Sequence, residues 1–179
     1  MRTRLKPTNI KRFALQSLII IVLIGVDQLI KFFIEKNLRP IGFREFIPHI
    51  LNLRYLQNTG AAFGSLSSNT NILSAVTSLL ILGLIAFLLF EKSNNKIYHF
   101  IIPAIIAGGI GNLIDRVSRG FVIDFLEFDF VDFAIFNFAD ILVTCGGFAL
   151  AGYLFVTIFT DAKKEKAAKT EVKKANEEA

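Results

Sequence analysis

The sequence predicts an all-α integral membrane protein with four transmembrane helices. Both termini lie in the cytoplasm, and the extracytoplasmic loops make a small β-like element. Three observations carry this expectation. The 179 residues are 53% apolar and 20% charged, with 19 Phe and a mean hydropathy of +0.54, whereas soluble domains average about 25% charged residues. Four stretches are apolar for the length a helix needs to cross a bilayer, about 20 residues. Lys and Arg crowd the two ends of the chain. The composition excludes a disordered chain and argues against a soluble globular domain.

The first span runs from Phe13 to Ile34. Its basic start resembles that of a secretory signal, but the apolar stretch is long and contains Asp27, Gln28 and Lys31. No small-x-small cleavage site follows, so it reads as a retained span. The second runs from Asn71 to Phe90, the third from Ile97 to Ile114 and the fourth from Ala134 to Phe159. Residues 35–70 are too many for a plain connector. Within them Leu51, Leu53 and Tyr55 alternate with Asn52 and Arg54, the period of a strand. In the loop at 115–133, Phe121, Ile123 and Phe125 alternate with Val122 and Asp124, so the two loops can pair in a small sheet. Residues 1–160 form the membrane domain. Residues 161–179 are a Lys/Glu/Ala tail, a solvated helix or a disordered segment, to which no chemistry is assigned.

Orientation follows from the basic residues. With both ends inside, 13 Lys and Arg fall on the cytoplasmic side. Six fall outside: Lys36, Arg39, Arg44, Arg54, Arg116 and Arg119. Basic ends suit an anionic lipid surface. Nothing between them looks like a nucleic-acid module, so lipid rather than nucleic acid is the expected partner. Cys145 is the only cysteine, which excludes an intrachain disulfide, and it reads as a small buried side chain. His49 and His99 are the only histidines and lie far from it in sequence, against thiol catalysis and against a histidine-based metal site.

A charge inside a bilayer costs about 2.5–3.5 kcal/mol on insertion scales, so each one calls for a reason. Asp27 lies 14 residues into span one, roughly 21 Å up from the cytoplasmic side. Asn112, Asp115 and Arg116 end span three, Asn137 and Asp140 begin span four, and Asn58 and Asp124 lie on the loops. All converge at one depth near the outer surface. Asp27 and Lys31 can pair at i, i+4. Asp115 and Arg116, being adjacent, each reach a partner on another span or loop. A buried ion-pair network between helices is the plainer reading of these four residues. Gly108, Gly109, Gly111, Gly146 and Gly147 fit close helix packing, with close approach of a substrate chain as the other reading. Asp124 and Asp140 have no cation at helical spacing. If they meet in a poorly hydrated site they share one proton, leaving one as base and one as acid, as aspartic proteolysis requires. Asp129 and Asp132 compete for that role, and exposed carboxylates are the plainer reading.

At these residues the sequence resembles the lipoprotein signal peptidases (signal peptidase II). Asp27-Gln28-Leu29-Ile30-Lys31 resembles the family's D-Q-x-x-K, and Asn58-Thr59-Gly60-Ala61-Ala62-Phe63-Gly64 its N-x-G-A-A-[FW]-G. Gly111-Asn112-Leu113-Ile114-Asp115-Arg116, Val122-Ile123-Asp124-Phe125 and Phe136-Asn137-Phe138-Ala139-Asp140 resemble G-N-x-x-D-R, V-x-D-F and F-N-x-A-D, in order. Phe133-Ala134-Ile135 stands where the family usually has a Pro. The resemblance implies a four-span aspartic peptidase of the bacterial cytoplasmic (inner) membrane. Such enzymes cut prolipoproteins before a diacylglyceryl-modified cysteine, near the extracytoplasmic surface and without cofactor or metal. It implies Asp124 and Asp140 as the catalytic pair. Asp27, Lys31, Asn58, Gly60, Asn112, Asp115, Arg116, Asn137 and Ala139 would support the site or bind substrate.

Two rivals stand beside it. A serine–lysine peptidase would use Ser65 or Ser67 with Lys31, but Asp27 keeps that lysine protonated. A small proton-coupled transporter would explain acids in spans, but they sit at one depth and no span shows paired breaks.

Overall fold

The computed structural model describes residues 7–60, 70–91 and 95–177. Four helices among them are long and apolar enough to cross a membrane. They are α1 (Pro7–Asn37), α2 (Thr70–Phe90), α3 (Lys96–Arg119) and α4 (Phe138–Glu177). Three strands, β1 (Phe43–Ile47), β2 (Leu51–Asn58) and β3 (Val122–Phe128), form an antiparallel sheet in the order β1-β2-β3. The sheet expected from the two loops is therefore present, with β1 as a third strand. Residues 61–69, which hold Ala61 to Gly64, Ser65 and Ser67, lie outside the described residues, as do Arg2, Arg4, Lys6 and Lys92.

The apolar residues on the outer faces of the helices have no protein to pack on. Leu18, Ile21 and Leu29 of α1, Leu79 and Leu82 of α2 and Phe148 and Phe155 of α4 are exposed, as a lipid-facing surface requires. The interior is small. Ile81 and Leu88 of α2 pack on Ile102 and Ile106 of α3, with Ile20 and Leu150 against them.

Helix α3 contacts each of the other three. Its start is capped by Asn95, whose side chain accepts from the Ile97 backbone N–H at 3.0 Å. Its end is closed by Gly120 at φ 82°, whose N–H reaches the Arg116 carbonyl at 3.1 Å. Its glycines occupy successive faces of one turn. A Cβ on Gly108 would lie 2.5 Å from the Ala139 carbonyl of α4, on Gly109 3.1 Å from Ile81 of α2, and on Gly111 2.5 Å from the Asp27 carboxylate of α1. Steps of about 100° per residue let one Gly-rich turn bring three neighbours close. The packing reading holds for these and for Gly146, whose Cβ would meet Ile105 at 2.6 Å. Gly147 has open space instead.

Strand β3 is buried on both faces from Val122 to Phe125, so Asp124 is enclosed rather than turned to water. In β2, the central strand, Asn52 is buried although Leu51, Leu53 and Tyr55 are only half-buried, and it donates to Asp129 at 2.9 Å. After β3 the chain doubles back. Phe136 exchanges backbone hydrogen bonds with Leu126 at 2.8 and 3.0 Å. Residues 134–136 are thus held by the sheet, and α4 starts at Phe138 rather than at Ala134. It then runs unbroken past residue 160 to Glu177, so the first part of the tail continues the helix.

Gly108→Ala is expected to destabilise the protein by about 1–3 kcal/mol through overpacking against the Ala139 carbonyl. Gly147→Ala should be close to neutral. Thermal unfolding of both variants in detergent checks this.

Candidate active site

Three helices and the sheet bring the polar residues together. Lys31 is the centre. Its ammonium lies 3.0 Å from Asp27 Oδ2, 2.9 Å from Asp115 Oδ2 and 2.9 Å from Asn112 Oδ1. Lys31, Asp27 and Asp115 are 0% exposed. An ammonium has three N–H groups and no acceptor, so these three oxygens satisfy it completely. Gln28 donates to Asp27 Oδ2 at 3.1 Å and to the Gly111 carbonyl at 3.2 Å. Asp115 also accepts from the Ile123 N–H at 3.3 Å, which ties α3 to β3.

Asp124 and Asp140 lie on either side of two bridging amides. Asp124 Oδ1 accepts from Asn137 Nδ2 at 2.6 Å, and its Oδ2 from Asn58 Nδ2 at 2.7 Å. Asp140 Oδ1 accepts from Asn112 Nδ2 at 2.7 Å, and its Oδ2 from the Asn137 backbone N–H at 3.0 Å. Asn137 Nδ2 also reaches Asn112 Oδ1 at 3.1 Å, closing the chain.

Each asparagine is oriented by a group that can only donate. The Gly60 N–H fills Asn58 Oδ1 at 2.9 Å, and the Asp140 N–H fills Asn137 Oδ1 at 3.0 Å. Lys31 fills Asn112 Oδ1. The amide NH2 groups must therefore face the aspartates. The Asn137–Asp140 exchange is a reciprocal capping box at the start of α4. One residue thus both caps the helix and holds the carboxylate of β3.

Both aspartates line one cleft of about 420 Å³, whose walls include Asn58, Gly60, Asn112, Arg116 and the apolar Val122, Phe136 and Ile141. Arg116 is half-buried there. Burial pushes the Asp124 carboxyl up to about 7, and the charge of Asp140 adds to the rise. The amides of Asn58 and Asn137 and the charge of Lys31 pull the other way.

Every expected site residue in the described part joins this assembly. The Asp27–Lys31 pair and the reach of Asp115 to another span are observed as expected. Ala139 is buried with its carbonyl at Gly108. The competing acids stay outside: Asp129 accepts from Asn52, and both Asp129 and Asp132 are exposed. Cys145 is exposed and lines the cleft, contrary to the expected buried side chain, because that face of α4 meets the cavity rather than a helix. Gln28 and Arg119 had no role assigned from sequence. Arg119 pairs with Glu35 and lies 3.5 Å from Asp115, four residues earlier, a spacing that signals the contact.

Fold and cleft together are those of a polytopic membrane protein in which two carboxyls, Asp124 and Asp140, line one cavity. A family model described as signal peptidase (SPase) II matches residues 19–156. A lipoprotein signal peptidase of Streptococcus pneumoniae is 42% identical over 137 residues, 76% of this chain and 89% of that protein. One from Caldanaerobacter subterraneus is 38% identical over 138 residues, 77% of this chain and 93% of that protein. A solved structure described as a bacterial membrane enzyme superposes with a TM-score of 0.72 at 34% identity, covering 78% of this chain and 87% of its own. The chain belongs to the signal peptidase II family.

The raised value at Asp124 predicts a pH-dependent stability. The folded-state value, about 7, lies above the ordinary 3.8. The contribution is therefore full below about pH 4 and lost as pH rises through about 7. Asp124→Asn, which removes the titrating group, should flatten this dependence. Melting curves from pH 4 to 8 check it.

Proposed function

We propose that Asp124 and Asp140 are the catalytic pair of an aspartic peptidase, acting at the extracytoplasmic face of a bacterial membrane. Membership of the signal peptidase II family makes the chain a peptidase that removes signal peptides from prolipoproteins. The observation that carries the aspartic mechanism is the pair itself. Two carboxyls from consecutive elements, β3 and α4, line one cleft, and bridging amides link them. Two such groups do not both ionise easily, so one holds a proton.

The chemistry follows from that state. The ionised carboxylate takes a proton from a water whose oxygen attacks the scissile carbonyl carbon. The protonated carboxyl gives its proton to the carbonyl oxygen. The resulting tetrahedral diol collapses as the C–N bond breaks. The leaving nitrogen takes a proton from the pair, and the pair regains one from a diol hydroxyl. Asn58, Asn112 and Asn137 hold the carboxyls in place, and Arg116 lends positive charge to the cleft. The apolar wall formed by Val122, Phe136 and Ile141 suits a lipid-bearing peptide approaching from the bilayer. The excess of Lys and Arg at the chain ends and in the 91–96 turn sets the termini inside and the sheet outside. Nothing in the comparisons supports a transporter.

The test is cleavage of a diacylglyceryl-cysteine peptide by the purified full chain in detergent, beside an unlipidated control. Asp124→Asn and Asp140→Asn should each lower kcat by roughly 10⁴-fold. Asp129→Asn and Asp132→Asn should leave it unchanged. Full activity in either variant of the pair overturns the aspartic mechanism.

A further inference from the structure

We propose that Lys31 is a positioning residue: acting through Asn112, its ammonium makes Asp140 the carboxylate that deprotonates water and leaves the proton of the pair on Asp124. The inference rests on the aspartic mechanism above and assigns roles within it.

The two carboxyls are not held alike. Asp124 receives its hydrogen bonds from Asn58 and Asn137, and the carbonyls of both amides are filled by neutral backbone N–H groups, those of Gly60 and Asp140. Asp140 receives one from Asn112, whose carbonyl is filled by an ammonium. A cation on the amide oxygen polarises the amide and strengthens its N–H as a donor. The second donor to Asp140 is a backbone N–H at the start of α4, where the helix dipole favours an anion. The charged groups facing Asp140 are Lys31 from α1, Arg116 from α3 and Asp124 from β3. Lys31 faces Asp27 on its own helix and Asp115 on α3, and Asp115 faces Arg119.

In this assignment Asp140 takes the proton of water, and Asp124 gives its own to the carbonyl oxygen. As the C–N bond breaks, Asp140 passes its proton to the nitrogen and Asp124 recovers one from the diol.

The experiment is the pH profile of kcat/KM for the full chain in detergent, with the diacylglyceryl-cysteine peptide. Its acidic limb reports the base and its alkaline limb the acid. Lys31→Met should move the acidic limb upward by about one pH unit, and Lys31→Arg should restore it. Asp27→Asn keeps the shape of the side chain and removes one carboxylate from Lys31. It should move the same limb downward, and it carries the test if Lys31→Met does not fold. A lowered rate with the acidic limb unmoved in both variants means that Lys31 is only structural and overturns the proposal. Activity surviving Asp140→Asn would instead overturn the aspartic mechanism, so the two failures are distinct.

Discussion

An ammonium sealed from water must spend every N–H on a protein oxygen, and in this protein that constraint sets the geometry of everything around it. Lys31 has three partners on two helices. Two are carboxylates, which offset the cost of burying its charge, and the third is the amide that turns toward Asp140. Removing one member of a buried charged set strands the others, at about 3–5 kcal/mol. The set therefore works as one unit: α1 and α3 cannot shift against each other without breaking it. The asparagine between them inherits its orientation from a lysine 81 residues away.

Glycines let the charges meet. Gly111 leaves the room that the Asp27 carboxylate occupies, and Gly108 leaves the room for the Ala139 carbonyl next to Asp140. Small residues at a helix crossing are generally about close backbone approach in lipid. Here they also fix the height at which α4 begins relative to α3, and with it the position of the second carboxylate. Packing and electrostatics are solved by the same turn of α3.

The four spans, the strands at 51–55 and 121–125 and the polar set were legible because each has a local signature: apolar length, alternation, or a charge where lipid should be. What stayed hidden depends on contacts between distant segments. Strand β1 shows no alternation because every residue from Phe43 to Ile47 is exposed. Ala134 to Phe136 read as helix because they are apolar, yet Phe136 is taken up by Leu126 of β3. Asn52 reads as the polar side of a strand, yet it is buried on the central strand and bonded to Asp129. The site residues could be named from their types and their resemblance to a family. Which way each amide faces could not, because the deciding donors lie elsewhere in the chain.

Asn137 joins two tasks. It closes the first turn of α4 with one set of atoms and grips Asp124 with another. Ordering that turn and assembling the cleft are consequently a single event. A chain whose last helix is not yet seated against the sheet therefore has Asp124 and Asp140 unjoined.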